Sequence, residues 1–242
     1  MQAMILAAGY GTRLRPWTLH HPKALVPVGG VPMLERVILR LKGEGFTRIV
    51  VNVHHFAGQI VDFINSHDFG VDIAVSDETE RLLDTGGAIL NAAPLFEHGP
   101  VLVHNVDILS NADLADLMLT HDKTGADSTL LVSGRESSRK LIFDADMRLH
   151  GWHNEKDGEY RPSTYVMGSQ DREYAFSGIH VVGEKAISEM RRIERDEKFS
   201  IIDFLLSAEH TCDVRGFIQE GLELIDIGKP ETLAKADINC LK

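Results

Sequence analysis

The chain has 242 residues, 43% of them hydrophobic and 25% charged, which is a globular composition and excludes a disordered chain. The net charge of −11 argues against nucleic acid as the main partner, because phosphate-backbone binding needs a basic face. Two cysteines, Cys212 and Cys240, lack metal-ligand spacing, and no run approaches the roughly 18 apolar residues of a membrane span, so a reduced cytoplasmic setting without membrane contact is expected.

In chain order, residues 2–7 read as a strand, and residues 32–44 carry Leu34, Val37, Ile38 and Leu41 at helical spacing. A strand is expected at 48–53, a helix through Phe56, Ile60, Phe63 and Ile64, a strand at 71–75 and a short helix at 86–93. Next come a strand at 101–103, a helix at 111–123 and a strand at 128–132. Strands alternating with helices imply parallel pairing and right-handed crossovers, and continuous apolar strands imply a sheet covered on both faces. Residues 141–180 read as shorter, more polar strands forming an antiparallel extension. Helices at 184–194 and 200–208, strands at 213–218 and 222–227 and a helix from Pro230 complete the chain. The fold class is therefore α/β with a mostly parallel central sheet, in one domain.

The first 25 residues carry the chemistry. A strand-like run meets Ala7, Ala8, Gly9 and Gly11, then Thr12, Arg13 and Arg15, and after a proline-rich turn Lys23. Small residues let a backbone approach a ligand, consecutive N–H groups make an anion-binding concavity, and fixed cations beside it suit several phosphates. Residues 1–50 hold seven Lys/Arg against two Asp/Glu, whereas the rest holds 18 against 34, so this is a basic island in an acidic chain. Three familiar phosphate patterns fail here. The dinucleotide fingerprint needs a third glycine where Leu14 stands, Gly228-Lys229 is followed by Pro230 rather than Ser or Thr, and no kinase motif accompanies the loop. Downstream, Asp107 and Asp226 each follow an apolar run. Ligands in open α/β sheets bind outside the carboxyl ends of strands, where a carboxylate can hold Mg²⁺.

The pattern G-x-G-T-R-x-R-P followed by P-K-A-L-V-P-V resembles the signature of the sugar-1-phosphate nucleotidyltransferases. Asp84-Thr85-Gly86-Gly87, Asn105-Val106-Asp107, Phe176-Ser177-Gly178-Ile179 and Leu224-Ile225-Asp226-Ile227-Gly228 resemble the weaker motifs of that family. The resemblance implies a Rossmann-like nucleotidyltransferase fold with a nucleotide-binding half at 1–135 and a sugar-binding half at 136–242. It implies transfer of a nucleotidyl group from an NTP, UTP or GTP, to a sugar 1-phosphate with Mg²⁺. Arg13 would hold the β- and γ-phosphates, and Lys23 would contact phosphate at the reacting centre. Ala7, Ala8, Gly9, Gly11, Thr12, Thr85, Gly86 and Gly87 would line the nucleotide, with Thr85 also a possible helix cap. Asn105, Asn154, Ser177 and Gly178 would meet the sugar phosphate, and Asp107 and Asp226 would share the metal.

Three departures concern base and sugar. Val106 replaces a usual glycine and would narrow the space beside the ligand, residues 76–83 contain no Gln, and Glu155-Lys156-Asp157 only approximates the family's E-K-P triplet. The short chain, without the β-helix of longer relatives, fits the group that makes UDP-MurNAc for the cell wall. Guanylyltransferases acting on mannose or heptose 1-phosphate are the alternative. A non-catalytic NTP-binding subunit and a glycosyltransferase rank lower, and monomer and homodimer stay open. His20, His21, His54 and His55 read as loop and surface residues, Trp17 and Trp152 as packing, and the run 189–198 as a solvated helix face.

Overall fold

A computed structural model describes residues 1–193, 197–207 and 211–240. The strands of the first half are β1 (Gln2–Leu6), β2 (Pro27–Val28), β3 (Val31–Pro32), β4 (Arg48–Val53), β5 (Asp72–Asp77), β6 (Val101–Asn105) and β7 (Ile108–Ser110). Its helices are α1 (Met33–Gly43), α2 (Ala57–Asn65), α3 (Asp84–Ala92) and α4 (Leu114–Thr124). Then follow β8 (Ser128–Ser133), β9 (Arg139–Phe143), β10 (Leu149–Asn154), β11 (Glu159–Arg161) and β12 (Arg172–Val182). Helices α5 (Glu184–Ile193) and α6 (Ile201–Leu205), strands β13 (Val214–Ile218) and β14 (Leu224–Asp226), and helix α7 (Pro230–Cys240) complete the described chain.

The main sheet runs β11-β10-β9-β12-β6-β1-β4-β5, with β8 and then β13 branching from β12. Strand β1 pairs in parallel with β4 and β6, β4 with β5, and β8 with β13. The centre is thus mostly parallel, as expected, and β9–β11 form the antiparallel extension. Apolar runs in the central strands have the expected consequence. Ala3 and Ile5 of β1 pack into a core shared with Leu34, Ile38 and Leu41 of α1, while Met4 packs on the opposite face with Ala88 and Ile89 of α3.

The strand expected at 222–227 forms as β14, which pairs with β7 in a ribbon outside the main sheet. One element differs from expectation. The helix expected at 111–123 begins at Leu114, because the Asp113 side chain accepts a hydrogen bond from Asp116 N at 2.7 Å and caps it there.

Strand β12 joins the two sheet regions. Its first residues pair with β9, and its later ones with β6 and β8. Pairing with β8 slips between Phe176 and His180, a bulge that contains Ser177 and Gly178. Among the described residues no helix is long and apolar enough to cross a membrane.

Candidate active site

A cavity of about 350 Å³ opens where β1 and β6 end. Its walls include Ala7, Ala8, Gly9, Lys23, Asn52, Asp84, Thr85, Asn105, Val106, Asp107 and Lys198. This is the carboxyl end of the parallel strands, where an open α/β sheet binds its ligand. Gly9 borders open space: a Cβ there would meet nothing within 4 Å. Gly11 has φ +62°, and a Cβ on it would lie 2.8 Å from Lys23 Cβ and 2.9 Å from Thr18 Cγ2. Its missing side chain lets the stem of Lys23 lie against the glycine turn. The Lys23 ammonium pairs with the Asp107 carboxylate, and these side chains are only 13% and 14% exposed.

Residues far apart in sequence meet here. Ile227 N donates to Asp107 O at 3.0 Å, and Asp226 stands opposite Ile108 in the β7–β14 ribbon. Asp107 and Asp226 are therefore on adjoining backbone. Arg13 is solvent-exposed, with its guanidinium over Gly228; a Cβ on Gly228 would lie 2.5 Å from Arg13 Nη2 and 2.7 Å from Asp226 Oδ1. Thr12, next to it, is exposed in a 3-10 turn. Gly178, with φ +79° in the bulge, makes room for Asn105, whose Nδ2 would be 2.7 Å from a Cβ there.

Two hard carboxylates on adjoining backbone, one in the turn between β6 and β7 and one ending β14, suit a divalent cation that completes its shell with phosphate oxygens, and no group of three metal-type side chains occurs among the described residues.

Other expected residues are elsewhere or otherwise engaged. Asn154 lines a second cavity of about 490 Å³, together with Arg139, Trp152, Arg161, Phe176 and Asp203, and its Nδ2 donates to Asp157 Oδ2 at 2.6 Å. Ser177 is 1% exposed, and its hydroxyl is spent on Ile179 of its own bulge. Thr85 does not cap α3; its Oγ1 accepts from Ile201 N at 2.9 Å. The N–H groups of Gly86 and Gly87 both donate to Phe199 O, at 3.0 and 3.2 Å. A Cβ on Gly86 would overlap the Phe199 ring, and one on Gly87 the Glu197 carbonyl oxygen. The backbone that approaches these glycines is the chain's own 197–199 segment. Val106 is 3% exposed, packs in the core with Leu14 and Ala24 and also forms part of the cavity wall.

Four residues of interest were not anticipated. Lys198 lines the cavity; of the run 189–198, residues 194–196 lie outside the described residues, residues 189–193 are in α5, and Lys198 stands outside any helix, so it is not part of a solvated helix face. Arg135 donates from Nη2 to Phe176 O at 2.9 Å; burial draws its pKa down, and the Asp226 charge opposes that shift. Its position just past β8, at a carboxyl strand end, was the available signal. Asn52, at the cavity wall, and Glu78, each 3% exposed, are joined by a 2.7 Å hydrogen bond.

An open, mostly parallel sheet with a cavity lined by lysines and aspartates, and two aspartates on adjoining backbone at its carboxyl edge, suits a nucleotide-handling transferase. The nucleotidyl transferase family profile matches residues 2–143. An N-acetylmuramate alpha-1-phosphate uridylyltransferase of Caulobacter vibrioides is 30% identical over 97% of this chain and 95% of its own. A mannose-1-phosphate guanylyltransferase of Mycobacterium tuberculosis is 27% identical over 100% of this chain, which spans 65% of that protein's length. The crystal structure of HddC from Yersinia pseudotuberculosis superposes with TM-score 0.79 and 25% identity over 99% of each chain. The chain belongs to the nucleotidyl transferase family and is an enzyme of the sugar-1-phosphate nucleotidyltransferase class, as the sequence motifs implied.

Proposed function

We propose that the protein transfers a uridylyl group from UTP to N-acetylmuramate 1-phosphate, releasing pyrophosphate. The observation that carries the site assignment is the convergence of the glycine loop, the Lys23–Asp107 pair and Asp226 at one edge of the sheet. The choice of substrate rests on the Caulobacter relative, which matches over nearly the full length of both chains. The alternative is guanylyl transfer to mannose 1-phosphate or a similar sugar, supported by the mycobacterial relative and by the HddC structure in complex with GMP-PN.

The sugar phosphate has a second pKa of about 6 and is mostly dianionic at neutral pH, so its oxygen attacks the α-phosphorus in line without a general base. The bond to the leaving pyrophosphate breaks as the new P–O bond forms. The protein's work is to align two polyanions and offset their charge. Ala7, Ala8, Gly9 and Gly11 offer close backbone approach. Lys23 steadies Asp107 and presents its ammonium to the reacting phosphate, and Arg13 grips the phosphates that depart. Lys198, from the segment after α5, lines the cavity and adds a third cation. Asp107 and Asp226 would hold Mg²⁺, which when bound neutralises charge between the two phosphates. Asn105 and Gly178 border the path toward the sugar, with Asn154 in the cavity beyond.

A pyrophosphate-release assay tests this by crossing UTP, GTP, CTP, dTTP and ATP with several sugar 1-phosphates, with and without chelator. UTP with N-acetylmuramate 1-phosphate should give the highest kcat/KM. A preference for GTP with mannose 1-phosphate selects the alternative.

A further inference from the structure

We propose that the buried Asn52–Glu78 pair is a positioning unit that sets the spacing between the two walls of the nucleotide cavity. Asn52 ends no turn and caps no helix; it lies within β4, next to β1. Its Oδ1 accepts from Ala7 N at 2.6 Å, at the start of the glycine loop. Its Nδ2 donates to Glu78 Oε1 at 2.7 Å. The other carboxylate oxygen, Glu78 Oε2, accepts from Leu83 N at 3.1 Å. Leu83 lies between Leu82 and Asp84, which both line the cavity opposite Ala7 and Gly9.

Two side chains thus tie one cavity wall to the other through three hydrogen bonds, all within the protein interior. A carboxylate buried to 3% exposure is costly to keep, and apolar side chains would fill the same space without that cost. The pair earns its place through where its outer bonds go: both leave it for backbone N–H groups on the ligand-facing loops. The line continues, since Phe199 N donates to Leu83 O at 3.2 Å, next to the cavity-lining Lys198. Glu78 accordingly controls the Leu82–Thr85 wall and, through Phe199, the segment that brings Lys198 to the ligand. Neither Asn52 nor Glu78 needs to touch the nucleotide; each acts through the backbone that it holds.

This inference rests on the nucleotidyl transfer proposed above. That reading fails first, and separately, if the wild-type protein releases no pyrophosphate with any substrate pair. The test of the pair is a polarity swap. In Glu78→Gln, one of the two donors facing the carboxylate meets an amide N–H₂ instead. In Asn52→Asp, two carboxylates face each other. Combining N52D with E78Q restores every bond: the new glutamine amide donates to the new aspartate, accepts from Leu83 N, and leaves the second aspartate oxygen for Ala7 N. Net charge is unchanged.

Each single substitution should raise KM for the NTP by about 10-fold or more, the scale of one broken buried hydrogen bond, while KM for the sugar phosphate changes by less than about 2-fold. The double variant should return KM for the NTP to within about 3-fold of wild type, a clear departure from additivity. Binding of a non-hydrolysable NTP, followed calorimetrically, should move in parallel. Single variants with unchanged KM for the NTP would overturn the proposal. So would a double variant no better than the product of the two singles, or one that fails to fold. If a single variant does not fold, the folded double variant with wild-type-like NTP binding still supports it, and weak binding by that folded variant refutes it.

Discussion

The cavity beside the glycine loop, proposed above as the phosphate end, and the second cavity, proposed as the sugar end, are built in contrasting ways. At the phosphate end, the glycine loop, Arg13 and Lys23 all come from one stretch of about 20 residues, and among the described residues the cavity beside them has a single ion pair, Lys23 with Asp107, drawn from two segments. At the sugar end, the second cavity draws on β9, β10, β11, β12 and the start of α6, and most of its charges are already paired. Arg161 bonds Glu159 and Asp203 while lying over the Trp152 ring, and Lys140 pairs with Glu155. The first cavity takes Gly9 and one of its cations, Lys23, from a single continuous segment. The second is assembled from distant strands whose charges hold one another in place.

This contrast can be broken by experiment. The largest effects should fall at the phosphate end. Lys23→Ala or Arg13→Ala should lower kcat by at least about 10²-fold, the loss expected for a charge-stabilising donor, measured as steady-state pyrophosphate release. Near-wild-type rates would remove either residue from the catalytic assignment. Asp107→Asn and Asp226→Asn should lose activity on a comparable scale and shift the Mg²⁺ titration to higher concentration; an unshifted titration would remove their metal role.

A smaller effect separates packing from ligand contact. Gly87→Ala should destabilise the protein by about 1–3 kcal/mol, because its methyl group runs into the Glu197 carbonyl rather than a flexible side chain. A urea midpoint unchanged from wild type would show that the 197–199 segment moves aside freely. At the sugar end, Asn154→Ala should raise KM for the sugar 1-phosphate by roughly 3- to 10-fold with KM for the NTP unchanged, as for one neutral hydrogen bond. Equal effects on both substrates would erase the division between the two ends.

The gentlest test concerns the sheet beneath both ends. Burial lowers the pKa of His104 to about 4 and that of His180 to about 3, from an ordinary 6.5. The unfolded chain binds these protons more readily than the folded one. Their contribution to stability is therefore complete above about pH 6.5 and is lost progressively as pH falls toward 4 and then 3. Urea midpoints should decline over that window, and His180→Met should flatten the decline; an identical slope would assign it to other groups.

The phosphate end was legible in the sequence because its signal is local. Gly11 and Lys23 are twelve residues apart, and their contact follows from one turn and one short 3-10 segment. The α/β order was legible for the same reason, since each apolar run reports its own period. Lys198 was hidden because its placement depends on bonds between Phe199 and the α3 glycines, more than a hundred residues away in sequence. Gly86 and Gly87 were recognised as places of close backbone approach, but sequence alone could not tell a ligand from the chain's own loop. Ser177 carried a recognisable motif, yet the bulge that consumes its hydroxyl arises from a pairing slip between β8 and β12. The Asn52–Glu78 pair carried no motif and became visible only when β4 and the segment after β5 were brought side by side.

Strand β12 has a mechanical consequence. Because one continuous strand is stitched into both the parallel centre and the antiparallel extension, that extension is tied to the centre along β12 rather than through a flexible link. Accommodating a bulkier acceptor must come from reshaping the rim, at the bulge or in the connecting loops, rather than from swinging one half away from the other. Divergence among enzymes of this architecture should accordingly concentrate at those rims while the shared strand keeps its length.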